Sequence, residues 1–204
     1  MSVNRSAIYV GLMVLAAALA GYMVSLKLAR GAAPTLQSGT ALPAPRPVAA
    51  FALTDHLGEP FGNARLSGHP TLIFFGFTHC PDVCPTTLAM TAQLQRDPAL
   101  AGLQILFITV DPGRDDQRML QQYVSAFGGG LIGLRGEDAA LDPLMQSLGA
   151  LRAVQPRVGA DYSVDHSAIL FYINAGGALS ALFTPPFNQS ALRNDLLALI
   201  SGGW

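Results

Sequence analysis

The chain has 204 residues and a formal net charge of −1, with 12 Lys and Arg against 13 Asp and Glu. A near-neutral chain without a basic cluster excludes nucleic-acid binding, which requires Lys and Arg to neutralise phosphates. Beyond an N-terminal segment and a linker, about 150 residues remain, the usual size of one globular domain. Two cysteines within five residues exclude a disulfide-stapled scaffold, so packing must stabilise the domain.

An uncharged apolar stretch near the N-terminus, residues 8–26, predicts a single transmembrane helix. About 20 helical residues cross the hydrocarbon core of a bilayer. The alternative is a cleaved signal peptide, because Ala18-Leu19-Ala20 resembles a small-x-small cleavage site. The apolar run continues past that site, which favours retention. Residues 1–30 are therefore predicted to be a membrane anchor, and basic residues at both ends leave its orientation open.

The next segment, residues 31–47 (GAAPTLQSGTALPAPRP), is rich in Pro, Ala and Gly and lacks apolar periodicity. This composition predicts a flexible linker, which would hold the following domain within reach of membrane partners. We therefore expect the globular domain to occupy residues 48–204.

Apolar strands and amphipathic helices alternate along this domain. Proline and glycine mark turns between them, and the apolar strand segments suit the interior of a sheet. The predicted order is a hairpin (51–54 and 60–61), a strand (71–77), a helix from Pro85, a strand (103–110), helices at 115–127 and 138–148, a hairpin (168–173 and 178–184), and a helix (190–200). This order predicts an α/β domain of the thioredoxin-like class.

The two cysteines form a CxxxC motif where a strand passes into a helix. If this segment is helical, three intervening residues place the sulfurs of Cys80 and Cys84 on one face, about one turn apart. A helix N-terminus also stabilises thiolates, the form that binds metal or attacks a disulfide. Pro81 and Pro85 restrict the backbone around both thiols. The pattern favours a metal site or a redox pair over two buried structural thiols or an inert disulfide.

Two soft thiolates favour Cu(I) over Mg²⁺ or Ca²⁺, whereas structural zinc normally takes four ligands. A third ligand is therefore expected. His166 precedes a strand predicted to lie beside the cysteine-bearing strand, so it would complete a Cys2His site. His79 adjoins Cys80, but neighbouring side chains at such a junction point apart. His56 and His69 lie in polar turns and are assigned no metal role.

Two carboxylates lie near the candidate ligands in the sequence. Asp111 follows a predicted strand, and Asp165 adjoins His166. Either could orient the imidazole from outside the ligand set, as carboxylates often do for metal-bound histidines. Either could equally be a turn or capping residue.

Three segments, GFTHCPDVCPTTL, TVDPGRD and DYSVDHSAILFYIN, together resemble the signature segments of the Sco/SenC family of copper proteins. The resemblance covers about residues 49–200. It implies a thioredoxin-like domain that binds one copper ion, as Cu(I) or Cu(II), through Cys80, Cys84 and His166. It also implies an inner-membrane protein whose domain faces the bacterial periplasm or the mitochondrial intermembrane space.

The same resemblance implies a role in assembling the CuA centre in subunit II of cytochrome c oxidase. The protein would act as a copper metallochaperone, with other copper chaperones as further partners, or as reductant of the subunit's cysteines. An enzymatic role is the weaker expectation.

A thiol-disulfide oxidoreductase is the main alternative from the enzyme class. It is disfavoured as the sole role, because the motif is CxxxC and Val164-Asp165-His166 lacks the cis-proline that thioredoxins carry there. A peroxiredoxin is disfavoured because Thr78 lies one residue too near Cys80 for the TxxC pattern. A redox or copper sensor remains open.

Overall fold

The computed structural model describes residues 5–30, 33–128, 130–156 and 162–204. The chain divides into two units, Met1–Ala33 and Pro34–Trp204. In the first unit, helix α1 (Arg5–Arg30) includes residues 8–26, the predicted membrane span, and residues 1–4 of the predicted anchor lie outside the described residues. Over the described ranges, no helix combines the length and the apolarity needed to cross a membrane, so the predicted span is not confirmed.

The second unit is an α/β domain with an eight-stranded mixed sheet of order β1-β10-β9-β4-β5-β6-β2-β3 and a separate pair, β7-β8. Its strands are β1 Gly39–Pro47, β2 Ala52–Asp55, β3 Pro60–Gly62, β4 Thr71–Gly76, β5 Gln104–Thr109, β6 Leu131–Arg135, β7 Arg152–Pro156, β8 Tyr162–His166, β9 Leu170–Ile173 and β10 Ala178–Phe183. Its α-helices are α2 Val83–Gln95, α3 Gln117–Ser125, α4 Asp138–Leu148 and α5 Gln189–Gly202.

The centre of the sheet is parallel and covered on both faces. Strands β4, β5 and β6 are parallel, and every residue of β4 is buried. Continuous apolar runs of this kind are typical of strands whose two faces are both packed. Phe74 and Phe107 pack in one cluster with residues of α2, α3 and α5, whereas Phe75 and Ile108 pack in another with α4. The predicted α/β class is confirmed.

Antiparallel pairing of β9 with β4 brings two distant parts of the chain together at the end of the sheet where β4 stops and β9 starts. Phe74 pairs with Leu170, near the end of β4 and the start of β9. In an antiparallel pair, the residues after one strand lie beside the residues before the other. The cysteine segment follows β4 and His166 precedes β9, as the sequence predicted.

The main predicted strands and helices are present, with differences at several boundaries. Helix α3 begins later than predicted, because the Asp116 carboxylate accepts a hydrogen bond from the Met119 amide and caps it there. Helix α5 is capped by Asn188, not Ser190, through the Ala191 amide. Strand β6 and the β7-β8 hairpin were not predicted.

The structure differs over residues 39–47 from the linker predicted for residues 31–47, of which residues 31 and 32 lie outside the described part of the chain. Strand β1 (Gly39–Pro47) pairs antiparallel with β10 at the edge of the sheet, and its register shifts between Ala41 and Arg46. An edge strand tolerates prolines, because their missing N–H groups can face away from the partner strand. The proline-rich composition therefore did not prevent strand formation.

A buried carboxylate fixes the residues that lead into β1. Asp195 of α5 is 2% exposed and accepts hydrogen bonds from the amides of Gln37, Ser38 and Gly39 at 2.7–3.1 Å. The Ser38 hydroxyl donates a fourth bond to it at 2.8 Å. These charge-assisted bonds tie the predicted linker to the last helix.

We expect Asp195→Asn to destabilise the domain by about 1–3 kcal/mol, because the amide leaves buried donors without an acceptor. Urea unfolding followed by circular dichroism measures this difference. The matched control is Glu59→Gln, which makes the same change at an exposed carboxylate and should stay within about 0.5 kcal/mol of wild type. Equal stability of the two variants would contradict the role given to Asp195.

Candidate metal centre

The two cysteines lie on either side of the start of helix α2. Cys80 is in the turn that follows β4, and Cys84 is in the first helical turn, so the segment is helical only from Val83. The Cys84 amide donates a hydrogen bond to the Cys80 sulfur at 3.4 Å. Cys80 thus accepts a bond from one of the amides that a helix N-terminus leaves without a backbone partner. Both thiols are free.

His166 completes the candidate site from the end of β8. Its Nε2 lies 3.5 Å from the Cys84 sulfur, across a sequence separation of 82 residues. The Cys80 and Cys84 sulfurs and one imidazole nitrogen all lie within 4.8 Å of one another. The structure therefore brings together the three residues that the sequence singled out as ligands.

The surroundings of His166 restrict how its ring can turn. Its Nδ1 lies 3.3 Å from the Ser167 carbonyl, and Phe74 and Phe77 meet the ring edge-on with centroids 6.0 Å away. A backbone carbonyl next to Nδ1 favours the tautomer with a proton there, which leaves the Nε2 lone pair facing Cys84.

The Cys84 sulfur packs directly against the backbone of Gly76, where a side chain would overlap it. A Cβ at position 76 would lie 2.9 Å from the Cys84 sulfur and 2.6 Å from the Phe107 ring. Real Cβ contacts do not approach this closely, so the missing side chain is what admits the sulfur. Cys84 is 0% exposed, whereas Cys80 is partly accessible.

Burial shifts the pKa values of two candidate ligands, His166 and Cys84. It lowers the pKa of His166, against opposing effects of the Ser167 carbonyl and the Asp165 charge. The imidazole is therefore neutral at pH 7. Burial, followed by the hydrogen bond with Cys80, raises the pKa of the Cys84 thiol. Without a metal ion, Cys84 therefore holds its proton.

Among the described residues, the convergent group of potential ligands includes none of the other three histidines. The His79 Nδ1 is 3.0 Å from the Thr78 hydroxyl and 3.6 Å from an oxygen of Asp115, in keeping with the expectation that it points away from Cys80. The His56 Nδ1 accepts a hydrogen bond from the Gly133 amide. His69 is exposed in a turn.

The two carboxylates considered as neighbours of the site differ in setting. Asp165 is exposed and acts on His166 through its charge. Asp111 is 5% exposed, and its oxygens accept hydrogen bonds from Tyr162 and Arg114. Asp111 therefore contacts the hairpin that carries His166.

Sequence reasoning missed Asp115, which is 0% exposed beneath the cysteine turn. Its carboxylate accepts hydrogen bonds from the amide and hydroxyl of Thr78 at 2.9 and 2.6 Å and from the Thr109 hydroxyl at 2.6 Å. Its place before a helix suggested only a helix start. Its burial follows from tertiary packing, so nothing in the local pattern distinguished it.

The candidate site opens to solvent through a cleft of about 250 Å³, lined by Cys80, Pro81, Val83, His166 and neighbouring residues. Two sulfurs and a neutral imidazole form a donor set suited to a soft or borderline metal ion. The geometry therefore fits one such ion, reachable from outside.

Comparison with known proteins agrees with this assignment. Residues 40–201 match the model of the SCO1/SenC family. A putative copper-binding protein of Stutzerimonas stutzeri is 35% identical over 182 residues, covering 88% of this chain and 89% of its own. The structure of Bradyrhizobium japonicum ScoI with copper bound has a TM-score of 0.68 and 34% identity, covering 74% of this chain and 97% of that one.

Mitochondrial relatives are longer. The zebrafish (Danio rerio) protein SCO2 homolog is 37% identical over 150 residues, which are 71% of this chain and 52% of that protein. The chain thus spans about half the length of this relative.

We expect Cys84 to react with iodoacetamide at pH 8 about tenfold or more slowly than Cys80, because burial limits both access and the thiolate fraction. The Cys80→Ser and Cys84→Ser variants each keep one thiol, so mass spectrometry can follow each rate separately. Repeating both reactions in urea should remove the difference. Equal rates in the folded proteins would contradict the described burial.

The apo-protein should lose stability as pH falls below about 6.5, because His166 binds a proton more readily when unfolded. The loss should level off below the lowered native pKa of His166. His166→Gln should reduce this dependence, measured as the urea unfolding free energy between pH 7 and pH 5. The exposed-histidine control, His69→Gln, should keep the wild-type profile. An unchanged profile in His166→Gln would refute the assignment.

Proposed function

The chain belongs to the SCO1/SenC family, and we propose that it is a copper metallochaperone in which Cys80, Cys84 and His166 hold one copper ion. The observation that carries the proposal is the convergence of two sulfurs and one imidazole nitrogen within 4.8 Å. Three donors of this kind suit Cu(I), whereas a structural zinc site normally has four ligands. The copper-bound ScoI structure supports the choice of metal.

The protonation of the site supports metal binding coupled to proton release. The neutral imidazole offers its lone pair at pH 7 without losing a proton. Cys84 must lose its proton when copper binds, so binding should strengthen as pH rises. An acidic environment would favour copper release.

The copper would pass to the CuA site in subunit II of cytochrome c oxidase, or to and from other copper chaperones. The partly accessible Cys80 sulfur and the open cleft give another protein's ligands a route to the ion. Stepwise exchange of thiolate ligands would keep the ion bound throughout. The domain would act from the bacterial periplasm or the mitochondrial intermembrane space, tethered by a single membrane span over residues 8–26.

A second function uses the same cysteines as a reductant. The two sulfurs lie close enough that a local shift would form a Cys80–Cys84 disulfide, releasing two electrons and two protons. The electrons would reduce a disulfide in the oxidase subunit. Oxidation would also remove both thiolates from copper, so a redox or copper sensor would exploit the same switch.

We expect His166→Ala to weaken copper binding to the reduced protein by more than about tenfold, and Cys80→Ser or Cys84→Ser to weaken it further. Competition with a chromophoric Cu(I) chelator measures these affinities. The matched control, His69→Ala, removes an exposed imidazole and should bind as wild type does. Wild-type affinity in all three ligand variants would overturn the proposed site.

The His166→Ala variant also separates the two functions, because it keeps both thiols. In a strain lacking the wild-type protein, a copper donor requires His166 to restore oxidase activity, whereas a reductant requires only the thiols. Restoration by His166→Ala but not by Cys84→Ser would favour the reductant.

A further inference from the structure

We propose that the loop Asp111–Asp115, which supplies no ligand, sets the distance between His166 and the two cysteines. The inference rests on the proposed copper site and assigns positioning roles around it. The loop connects β5 to α3 and contacts both halves of the site. One end holds the hairpin that carries His166, and the other end holds the turn that carries Cys80.

The hairpin depends on side chains for its placement. Strands β7 and β8 form a two-stranded sheet of their own, and within the described ranges neither pairs with the eight-stranded sheet. His166 is the last residue of β8 and pairs with Arg152 at the start of β7. The ladder of the main sheet therefore does not fix the position of His166 directly.

Tyr162, Asp111 and Arg114 form a clamp between the loop and the first residue of β8. The Tyr162 hydroxyl donates to Asp111 Oδ1 at 2.6 Å, and Arg114 Nε donates to Asp111 Oδ2 at 2.5 Å. Arg114 also donates to the Tyr162 carbonyl at 3.0 Å, and its guanidinium lies 3.6 Å from the centre of the Tyr162 ring. The loop thus contacts both the backbone and the side chain of Tyr162.

Besides the packing of Phe74 and Phe77 against His166, two other contacts attach the described part of the hairpin. Val164 is buried in the core, and Arg152 donates to the Val110 carbonyl at 3.2 Å while pairing with Asp138 and Asp142. These contacts hold the middle of β8 and the start of β7. The clamp holds the opposite end of the hairpin, where β8 begins. It therefore limits rotation of the hairpin about its other contacts.

The other end of the loop holds the cysteine turn. The buried Asp115 carboxylate binds both the amide and the hydroxyl of Thr78, two residues before Cys80. Arg135 donates to the carbonyls of Pro112 and Asp115 at 3.3 and 3.2 Å, which secures the loop itself. The Asp111–Asp115 loop thus contacts both the hairpin that carries His166 and the turn that carries Cys80.

The sharpest test is Tyr162→Phe, which removes one hydroxyl and keeps the ring beside Arg114. We expect Cu(I) affinity to fall about tenfold, the effect typical of a residue that orients a metal ligand. In the His166→Ala background the same change should have no effect, because the clamp acts through His166. The matched control is Tyr172→Phe, a hydroxyl removal on β9 opposite Leu72, which should leave affinity unchanged.

A substitution at the cysteine end of the loop should change Cu(I) affinity independently of His166, unlike Tyr162→Phe. Thr78→Val removes the hydroxyl that donates a hydrogen bond to Asp115, while it preserves the shape of the side chain. Because Thr78 positions the thiols, its effect on Cu(I) affinity should persist in the His166→Ala background. Unchanged affinity in Tyr162→Phe, or an equal loss with and without His166, would overturn the positioning role of the clamp.

A measurement on the metal-free protein keeps this inference separate from the copper proposal. The nuclear Overhauser effect between the His166 ring and the Cys84 β protons reports their proximity without copper. We expect it to weaken in Tyr162→Phe and to persist in Tyr172→Phe, and persistence in both would refute the clamp. Failure of the wild-type protein to bind copper would instead refute the proposed function, whatever the result in the apo-protein.

Discussion

The antiparallel pairing of β9 with β4 is the constraint on which the candidate site depends. It places the residues after Phe74 and those before Leu170 at one end of the sheet. Cys84 and His166 meet there across 82 residues of sequence. Both strands are buried on both faces, so a slip of one residue would exchange two packed sets of side chains. The core therefore fixes the register, and the register brings the two ligand-bearing segments together. Side-chain contacts of the β7-β8 hairpin then hold His166 in place.

The burial that fixes this register also controls the chemistry of the site. Enclosing Cys84 and His166 disfavours their charged forms, so the metal-free centre avoids a buried thiolate and a buried imidazolium. A bound copper ion would supply the positive charge that makes the Cys84 thiolate favourable. In the proposed chaperone, the proton and the ion therefore compete for the same sulfur.

The sequence predicted the centre of the fold because its signals are strong there. The apolar runs of β4, β5 and β9 are long enough to indicate buried strands without knowledge of the fold. The CxxxC spacing and the position of His166 before β9 indicated the ligand set. The strand and cysteine predictions depend on local sequence patterns. The choice of His166 depended instead on the expected position of its strand beside the cysteine-bearing strand.

The features that the sequence did not reveal depend on partners distant along the chain. Strand β1 contains three prolines, which argue against a strand in the sequence alone. Its pairing follows from the exposed edge of β10, which only the folded sheet provides. Strands β7 and β8 form a separate two-stranded sheet, and neither contains the apolar run that marks the core strands. Asp115 resembled a helix-start residue, and only tertiary structure brings Thr78 and Thr109 to it.

The three ligands differ in how firmly the fold holds them, and this difference bears on copper transfer. Cys84 is fully buried in the core beside Gly76, so it can move little without disturbing the packing. Cys80 lies outside the helix and reaches the cleft, and His166 belongs to a hairpin held mainly by side chains. An ion bound to all three would loosen from Cys80 or His166 at smaller cost than from Cys84. In the proposed exchange, the partner's ligands would therefore replace Cys80 or His166 before the fully buried Cys84 thiolate.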